Sequence, residues 1–239
     1  MSFEQKNISN FEKSCEFFGK DFSQKDLYEF LKNGSETEKQ LACLRIEKVN
    51  NDEEAEILMA NLTGVDGKIR EVVSFKLKEF LNSGDTALSF NKLKFWNIFL
   101  DAIIDINGNI CRNIISAISN LKYDKNFSEY FKNAILERAF KVIENIEKFS
   151  YKDKKYVTNK ELFKLYWYLE TLTIFEFQDD ENFYKLIEKC CLIEEYTIRE
   201  KTALLINKLP KERKNLFIIN KDNNPYVAKA LNTKEKVAK

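Results

Sequence analysis

Two short runs of carboxylates carry the residue types that bind hard cations in proteins. They are NNDEEAE, at residues 50–56, and QDDENF, at residues 178–183. Oxygen ligands of this kind suit Ca²⁺ and Mg²⁺. Both runs stand where an apolar helical pattern begins, however, and acidic side chains there stabilise the positive end of the helix dipole. We therefore interpret both runs as helix starts and predict no metal site.

The chain offers few groups for nucleophilic or metal-assisted chemistry. It contains no histidine, which excludes nucleophile–histidine catalysis and histidine-ligated zinc within this chain. Its five cysteines are Cys15, Cys43, Cys111, Cys190 and Cys191, an odd number without a C-x-x-C pair. That pattern predicts neither a disulfide framework nor a thiolate zinc site, and it suits a reducing cytoplasm. The adjacent Cys190 and Cys191 form either a redox pair or two small apolar residues of a helix, and we favour the second. We predict no cofactor.

Aromatic side chains are concentrated in ELFKLYWYLETLTIFEF, at residues 161–177. So many aromatics on one helix cannot all face a single core. Some could line a groove that takes a peptide or stacks bases, which makes Tyr166, Trp167 and Tyr168 candidate binding residues. The alternative, which we favour, is a central helix that packs against neighbours on both sides.

These residues must be positioned by helices. The chain has only 6 glycines and 2 prolines for turns, and its 39 basic and 38 acidic residues are the composition of solvated helix faces. Apolar residues recur at helical spacing nearly throughout, and no segment alternates with period two. After Asp66 they form one stripe, and Phe75 lies on the opposite side of that helix. The sequence predicts an all-α fold, with Phe75 as a further candidate binding residue.

Several helix starts resemble one another. VDGKIREVVSFKL, INGNICRNIISAI and IEEYTIREKTALLI share a polar turn, an apolar residue or cysteine, an arginine and further apolar residues. The arginines are Arg70, Arg112 and Arg199, three of the 6 arginines in a chain with 33 lysines. Lys39 and Ala228 stand at this position in two further helices. Arginine's planar fork can hold two acceptors while its stem packs along a core, so we predict a structural role for all three.

This pattern resembles HEAT-type repeats, in which a turn aspartate and a second-helix arginine bond between neighbouring repeats and form a ladder. Carried over, Asp66 and Arg70 match the pair. Arg112 matches the arginine, with Asn107, Asn109 and Asp105 in or before its turn. Arg199 matches as well, with Glu195 in place of the aspartate.

The resemblance implies a right-handed superhelical stack of antiparallel helix pairs, with about five to six repeats. It predicts a single HEAT-like solenoid over residues 1–232 and a basic tail at residues 233–239. The stretch at residues 126–178 does not fit the repeat frame.

Such a scaffold favours a non-enzymatic role, so we predict a cytoplasmic adaptor that binds another protein along one face of its second helices. The alternative is a DNA-binding protein that resembles the DNA alkylation-repair glycosylases, which are metal-free HEAT-like stacks. Trp96, Trp167 and the C-terminal lysines would serve that role. The near-neutral net charge of +1 disfavours a nucleic-acid partner. Aspartates interrupt the most apolar windows, so no membrane partner is expected. The partner's identity and the oligomeric state stay open.

Overall fold

The computed structural model describes residues 12, 14–83, 87–148, 155–177, 180–214, 216–217, 219 and 222–232. Within these residues the chain is helical and contains no strand, so the prediction of an all-α fold is confirmed. None of the described helices combines the length and the apolar composition needed to cross a bilayer. The basic tail predicted at residues 233–239 lies outside the described residues.

The helix bounds follow in chain order. They are α1 (residues 14–18), α2 (Gln24–Asn33), α3 (Glu36–Arg45), α4 (Asp52–Leu62), α5 (Gly67–Asn82), α6 (Ala87–Phe90), α7 (Leu93–Ala102), α8 (Gly108–Ile118), α9 (Lys125–Lys148), α10 (Lys155–Leu172), α11 (Glu181–Cys191), α12 (Tyr196–Ile206), α13 (Lys211–Lys214) and α14 (Pro225–Leu231), with a 3₁₀ turn at Leu121–Tyr123 before α9.

Side-chain caps explain where most of these helices begin. At the start of α3, Ser35 Oγ accepts a hydrogen bond from the Glu38 N–H while the Glu38 carboxylate accepts one from the Ser35 N–H. This reciprocal capping box satisfies two backbone donors that a helix end leaves open. An equivalent box precedes α2, and single asparagine, aspartate or glutamate caps precede α4, α5, α8, α11, α12 and α14.

The chain folds into two compact units, Met1–Tyr123 and Asp124–Lys239. In unit 1 the helices form two layers. The first layer contains α2, α4 and α7, and the second contains α3, α5 and α8, with α5 packed between α3 and α8. Each hairpin of one first-layer and one second-layer helix packs against the next hairpin.

Unit 2 is built in the same manner from longer helices. Within the stretch at residues 126–178, the described residues form most of α9 (24 residues) and all of α10 (18 residues), and these two helices pack against each other. The α11–α12 hairpin packs beside them, and α14 packs on α12, so that α12 lies between α10 and α14. A single superhelical array over residues 1–232 stays a prediction, because each unit is defined by contacts within itself.

Arg70 on α5 joins two successive turns of unit 1. Its Nη1 donates to the backbone oxygens of Gly64 (2.9 Å) and Val65 (2.8 Å), in the turn that leads into α5. Its other edge meets Asp105, in the turn that leads into α8, with Nε–Oδ2 at 2.7 Å and Nη2–Oδ1 at 3.2 Å. The two charged side chains are 15% and 12% exposed. The hydrogen bond to Asp105 raises the Arg70 pKa above its usual value.

We call the bridge from an arginine to the aspartate of the next inter-helix turn the Arg–Asp joint. Arg199 on α12 makes a second Arg–Asp joint, in unit 2. Its Nη1 donates to the backbone oxygens of Ile193 (2.8 Å) and Glu194 (2.6 Å), and its Nε donates to Asp222 Oδ2 (2.5 Å). In both units the aspartate also accepts a hydrogen bond from the N–H of the asparagine two residues later, which caps the next helix. The shared pattern is Asp-x-Asn followed by Gly or Pro, at residues 105–108 and 222–225.

The other residues of the predicted ladder lie elsewhere. Asp66 caps α5 by accepting from the Lys68 and Ile69 N–H groups, and Glu195 caps α12. Arg112 is exposed and donates to Asn109 Oδ1, because it stands five residues after its helix cap rather than four. Cys111 takes the position that corresponds to Arg70, and its buried thiol donates to the backbone oxygen of Asp105 at 3.1 Å.

The joint predicts unequal effects for two arginine substitutions in unit 1. Arg70→Ala leaves the Asp105 carboxylate, which is only 12% exposed, without its countercharge, so we expect a loss of about 3 kcal/mol of unfolding free energy. Arg112→Ala, the matched control, removes an exposed side chain and should change stability by less than about 0.5 kcal/mol. Trp96 and Trp167 are the 2 tryptophans, one in each unit, so Trp96 fluorescence in a Trp167→Phe background reports the melting of unit 1. Equal melting temperatures for Arg70→Ala and the parent would refute the joint.

The joint in unit 2 predicts an acid-sensitive contribution from Asp222. Burial acts to raise the pKa of this carboxyl, but the hydrogen bonds from Arg199 and the Asn224 N–H outweigh burial and lower the pKa. A lowered pKa contributes stability above the unfolded value of about 3.9, and that stability is lost as the pH falls through the folded value. Asp222→Asn should therefore melt at a lower temperature than the parent chain at neutral pH. Below about pH 4 its melting temperature should decline less steeply than that of the parent chain.

Trp167 fluorescence in a Trp96→Phe background would follow this change, because Trp167 lies in unit 2. Glu212→Gln on α13 is the control, since Glu212 is exposed and makes no hydrogen bond or ion pair within the described residues. Melting temperatures that fall equally with pH in Asp222→Asn and in the parent chain would contradict the assigned role of Asp222.

Candidate functional site

A groove runs over the second-layer helices of unit 1. Its volume is about 480 Å³, and α3, α5 and α8 all contribute to its walls. The lining residues are Leu44, Glu71, Val72, Phe75, Lys78, Asn109, Arg112 and Asn113. Its apolar part comes from α3 and α5, and its polar part comes mainly from α8. The groove contains the sequence-predicted candidate Phe75 together with Arg112 from the predicted ladder.

Helical geometry explains why Phe75 faces this groove. The buried stripe of α5 includes Ile69, Val73, Leu77 and Phe80, which pack into the core of unit 1. Successive residues of a helix are about 100° apart, so a side chain two positions from Val73 and two from Leu77 points away from that core. Phe75 is accordingly 44% exposed. Leu44 on the neighbouring α3 is 46% exposed, so two large apolar side chains are open to solvent in one groove.

Hydrogen bonds hold α5 and α8 together below the groove. The Glu71 carboxylate accepts one bond from Asn107 Nδ2 and one from Asn109 Nδ2, each 2.8 Å long. One turn further along, Asn113 Nδ2 donates to the Oγ of the buried Ser74 at 3.1 Å. Near the end of α5, Asn120 Nδ2 donates to the Leu81 oxygen. These polar groups satisfy one another, which fixes the spacing of the two helices and leaves the Phe75 ring on the surface.

Two cationic side chains border the apolar part of the groove. Lys78 follows Phe75 by one helical turn, and its ammonium group makes no hydrogen bond or ion pair within the residues that the structure describes. Arg112 approaches from α8, where one of its nitrogens donates to the neutral Asn109 amide at 2.7 Å. The carboxylate of Glu71 is the one acidic group among the lining residues, and both of its oxygens already accept amide hydrogens.

The corresponding face of unit 2 is filled by its own side chains. Lys201 follows Arg199 by two residues, so it takes the position that Val72 has after Arg70 in unit 1. Its ammonium group pairs with Glu170 at 2.5 Å and lies 5.0 Å from the centroid of the Tyr166 ring. Burial acts to lower the Lys201 pKa, but the bond to Glu170 and the neighbouring charges outweigh it and raise the pKa. Unit 2 therefore uses this position for internal packing.

The aromatic candidates on α10 have different environments. Trp167 and Tyr168 are buried, and Tyr166 is half-buried with its ring 5.2 Å from the Trp167 ring in an edge-to-face arrangement. Tyr166 also lines a cavity of about 250 Å³ together with Phe163, Leu162, Asn159, Glu195 and Thr197. These three candidates belong to unit 2, whereas Phe75 belongs to unit 1.

The groups considered for metal or redox chemistry serve as caps or core. Asp52 pairs with Lys92, whose hydrogen bond lowers the Asp52 pKa, and Asp180 caps α11, while Asp179 lies outside the described residues. Among the described residues no group of three or more histidine, cysteine, aspartate or glutamate side chains could hold a metal ion. Cys190 and Cys191 are buried in α11, and burial raises the pKa of the Cys191 thiol to about 12. Thiols in such surroundings are poor nucleophiles.

Comparisons with known proteins give no assignment for the groove. Neither a scan against protein-family models nor a search of curated proteins found a match to this chain. Leu44, Lys78 and Asn113 were missed by sequence reasoning. Lys78 could have been found from its position three residues after Phe75, on the same helix face. Leu44 lies on a different helix, and only packing brings it to Phe75.

The placement of Phe75 predicts that it contributes little to stability. Phe75→Ala should cost less than about 1 kcal/mol, because the ring is half in water in the folded state. Phe80→Ala, the matched control on the same helix, empties a buried position and should cost about 3–5 kcal/mol. Melting followed through Trp96 would compare the two variants. A loss for Phe75→Ala as large as that for Phe80→Ala would show that Phe75 belongs to the core.

Proposed function

We propose that this chain is a non-enzymatic, HEAT-like α-solenoid that binds another protein through the groove over α3, α5 and α8. The observation that carries the proposal is the Phe75 ring, 44% exposed beside the 46% exposed Leu44. Large apolar side chains open to solvent in one groove are typical of the anchor sites of protein interfaces. The two Arg–Asp joints support the HEAT-like part of the proposal, since each one bonds an arginine at the start of one helix to an aspartate in the turn before a later helix.

The internal satisfaction of polar groups also favours a binding surface over a catalytic one. Around the groove the acidic side chain Glu71 is held by two amide donors, and Asn113 is bonded to Ser74. A catalytic carboxylate would need an unengaged oxygen and a nucleophile or acid–base partner within hydrogen-bond reach. A rigid floor with exposed apolar side chains instead offers shape complementarity to a partner chain.

The alternative function is DNA binding of the alkylation-repair glycosylase type. It would use the two tryptophans on a basic surface, as those proteins use aromatic residues near the DNA. Trp96 is 9% exposed and Trp167 is 5% exposed, so neither ring presents a face to a base. The groove itself contains two cations and one carboxylate, which is a small positive excess compared with what phosphate backbones require.

The proposal includes a reducing, cytoplasmic location. Cys43, Cys111, Cys190 and Cys191 are buried as free thiols, and Cys15 is an exposed free thiol. Unpaired cysteines persist most readily in a reducing compartment.

A peptide-display selection tests the proposal directly. The purified full chain is used to select ligands from a library of short random peptides, and the enriched peptides are titrated against variants. Phe75→Ala should weaken their binding by at least about tenfold, because an anchor side chain carries much of the energy of an interface. Leu93→Ala is the matched control, since Leu93 is 60% exposed on α7 of the same unit and lies outside the groove.

Two outcomes would overturn the proposal. One is that no peptide is enriched, or that the enriched peptides bind Phe75→Ala as tightly as the parent chain. The other is tight binding to a DNA duplex at low salt that weakens steeply with added salt, which would establish the nucleic-acid alternative instead.

A further inference from the structure

An open cavity lies in unit 2, where two hairpins of unequal length meet. Helices α9 (24 residues) and α10 (18 residues) are longer than α11 and α12, which have 11 residues each. The ends of α10 and α12 meet where Lys208 Nζ donates to the Thr173 oxygen, so the excess length of α10, about 10 Å, lies at its start. The cavity occupies the step left there, and its volume is about 680 Å³. That volume is within the usual range of small-molecule sites.

Aliphatic side chains form the apolar part of the cavity wall. They come from the end of α9, the start of α10 and the turn between α11 and α12, and they are Ile143, Ile146, Leu162, Leu192 and Ile193. Leu192 is 72% exposed, so the fold leaves a large apolar side chain in water at this cavity. Covering such a wall with an aliphatic group is favourable, because it removes apolar surface from water.

The charged residues of the wall carry a negative excess. They are the carboxylates of Glu147, Glu194 and Glu195 and the single ammonium group of Lys189. Lys189 Nζ pairs with Glu147 at 2.9 Å, across the space between α11 and α9. Whichever carboxylate the lysine pairs with, two of the three are left without a cation among the lining residues.

The two remaining carboxylates still have oxygens that accept nothing from the described residues. The carboxylate of Glu194 makes no hydrogen bond or ion pair there. One oxygen of Glu195 accepts from the N–H and Oγ1 of Thr197, while its other oxygen accepts no hydrogen bond from the part of the chain that the structure describes. Arg199, which holds this turn by two backbone oxygens, has its charge matched by Asp222 at 2.5 Å.

An aromatic ring adjoins the carboxylates. The smaller cavity of about 250 Å³ shares Leu162 and Glu195 with the larger one, and Phe163 lines it with 36% of its surface exposed. The face of an aromatic ring attracts cations through its quadrupole. The joined cavities therefore present aliphatic walls, two carboxylates and one open ring, a combination that suits an apolar molecule with a positive head group.

We infer that this cavity of unit 2 binds an organic ammonium ligand, a small molecule whose aliphatic body packs on Ile143, Ile146 and Leu192 while its ammonium group donates to Glu194 and Glu195. An uncharged ligand leaves the two carboxylates unmatched, and an anionic ligand is repelled by them. The inference does not rest on the proposed function, because the cavity and the groove belong to different units.

Three probes with the same aliphatic chain test the inference by calorimetric titration of the full chain at neutral pH. Octylamine is protonated at this pH, octanol is neutral and octanoate is an anion. Octylamine should bind at least about tenfold more tightly than octanol, which corresponds to about 1.4 kcal/mol from the charged head group. Octanoate should bind most weakly of the three.

The double variant Glu194→Gln with Glu195→Gln separates the head group from the chain. It should bind octylamine at least about tenfold more weakly and octanol within about twofold of the parent chain, since glutamine keeps the oxygen that caps α12 but not the charge. The matched control is Glu181→Gln with Glu188→Gln, which makes the same change in net charge at exposed positions of α11 outside the cavity. This control should bind octylamine as the parent chain does.

Leu192→Ala tests the aliphatic part of the site. It should weaken octylamine and octanol alike, by about threefold, because both chains lose the same apolar contact. Melting followed through Trp167 in the Trp96→Phe background confirms that unit 2 of each variant stays folded.

Three results would overturn the inference. The first is that octylamine binds no more tightly than octanol, and the second is that the cavity and control variants weaken octylamine equally. The third is a lysine-rich peptide that binds more tightly than octylamine and is lost in Glu194→Gln with Glu195→Gln, which would assign the cavity to a partner chain. Phe75→Ala should leave octylamine binding unchanged, so failure of this site and failure of the groove are measured separately.

Discussion

The bridge that Arg70 makes between two successive inter-helix turns is the interaction on which unit 1 depends. Each turn exposes backbone oxygens that lack helical partners, and burying them unpaired would be costly. The Arg70 guanidinium contacts both turns. Its Nη1 donates to the Gly64 and Val65 backbone oxygens, and its Nε and Nη2 donate to the Asp105 carboxylate in the next turn. Lysine has the charge but not the planar fork that reaches two turns, which explains why a lysine-rich chain places arginine here. Arg199 solves the same problem in unit 2.

The joint and the groove are two consequences of one arrangement. Because α5 is tied to α8 at its first turn by Arg70 and Glu71 and along its length by Ser74, the polar groups between these helices are satisfied internally. The groove over these helices is lined by Phe75 and Lys78 of α5, with Leu44 and Arg112 from the neighbouring helices. Unit 2 shows the contrasting case, in which Lys201 occupies the equivalent face through Glu170 and Tyr166. The two units thus share the Arg–Asp joint but differ in the side chains on the helix face that follows it.

Local sequence pattern located the arginines but pointed to different acids. Asp66 and Glu195 stand nearest in sequence, yet each is engaged by N–H groups of its own helix, two or three residues ahead. The acids that hold the arginines come from the following turn, Asp105 and Asp222, and each is marked by an Asp-x-Asn pattern before the next helix. Arg112 shares the composition of the motif but stands one residue out of register. A helix rotates about 100° per residue, so that single step moves the guanidinium from the buried joint to the exposed groove.

The sequence by itself determined the helical fold, the positions of most helix starts and the outward direction of Phe75. These depend on turn residues, caps and the period of the apolar stripe, all of which act within one helix. Only the tertiary structure decided that Trp167 and Tyr168 are buried and that Leu44 joins Phe75 in one groove. It also decided that Lys201 pairs with Glu170, whereas Lys78 makes no ion pair within the part of the chain that the structure describes. Burial and pairing depend on which neighbouring helix covers a given face, and residues far apart in the chain supply that neighbour.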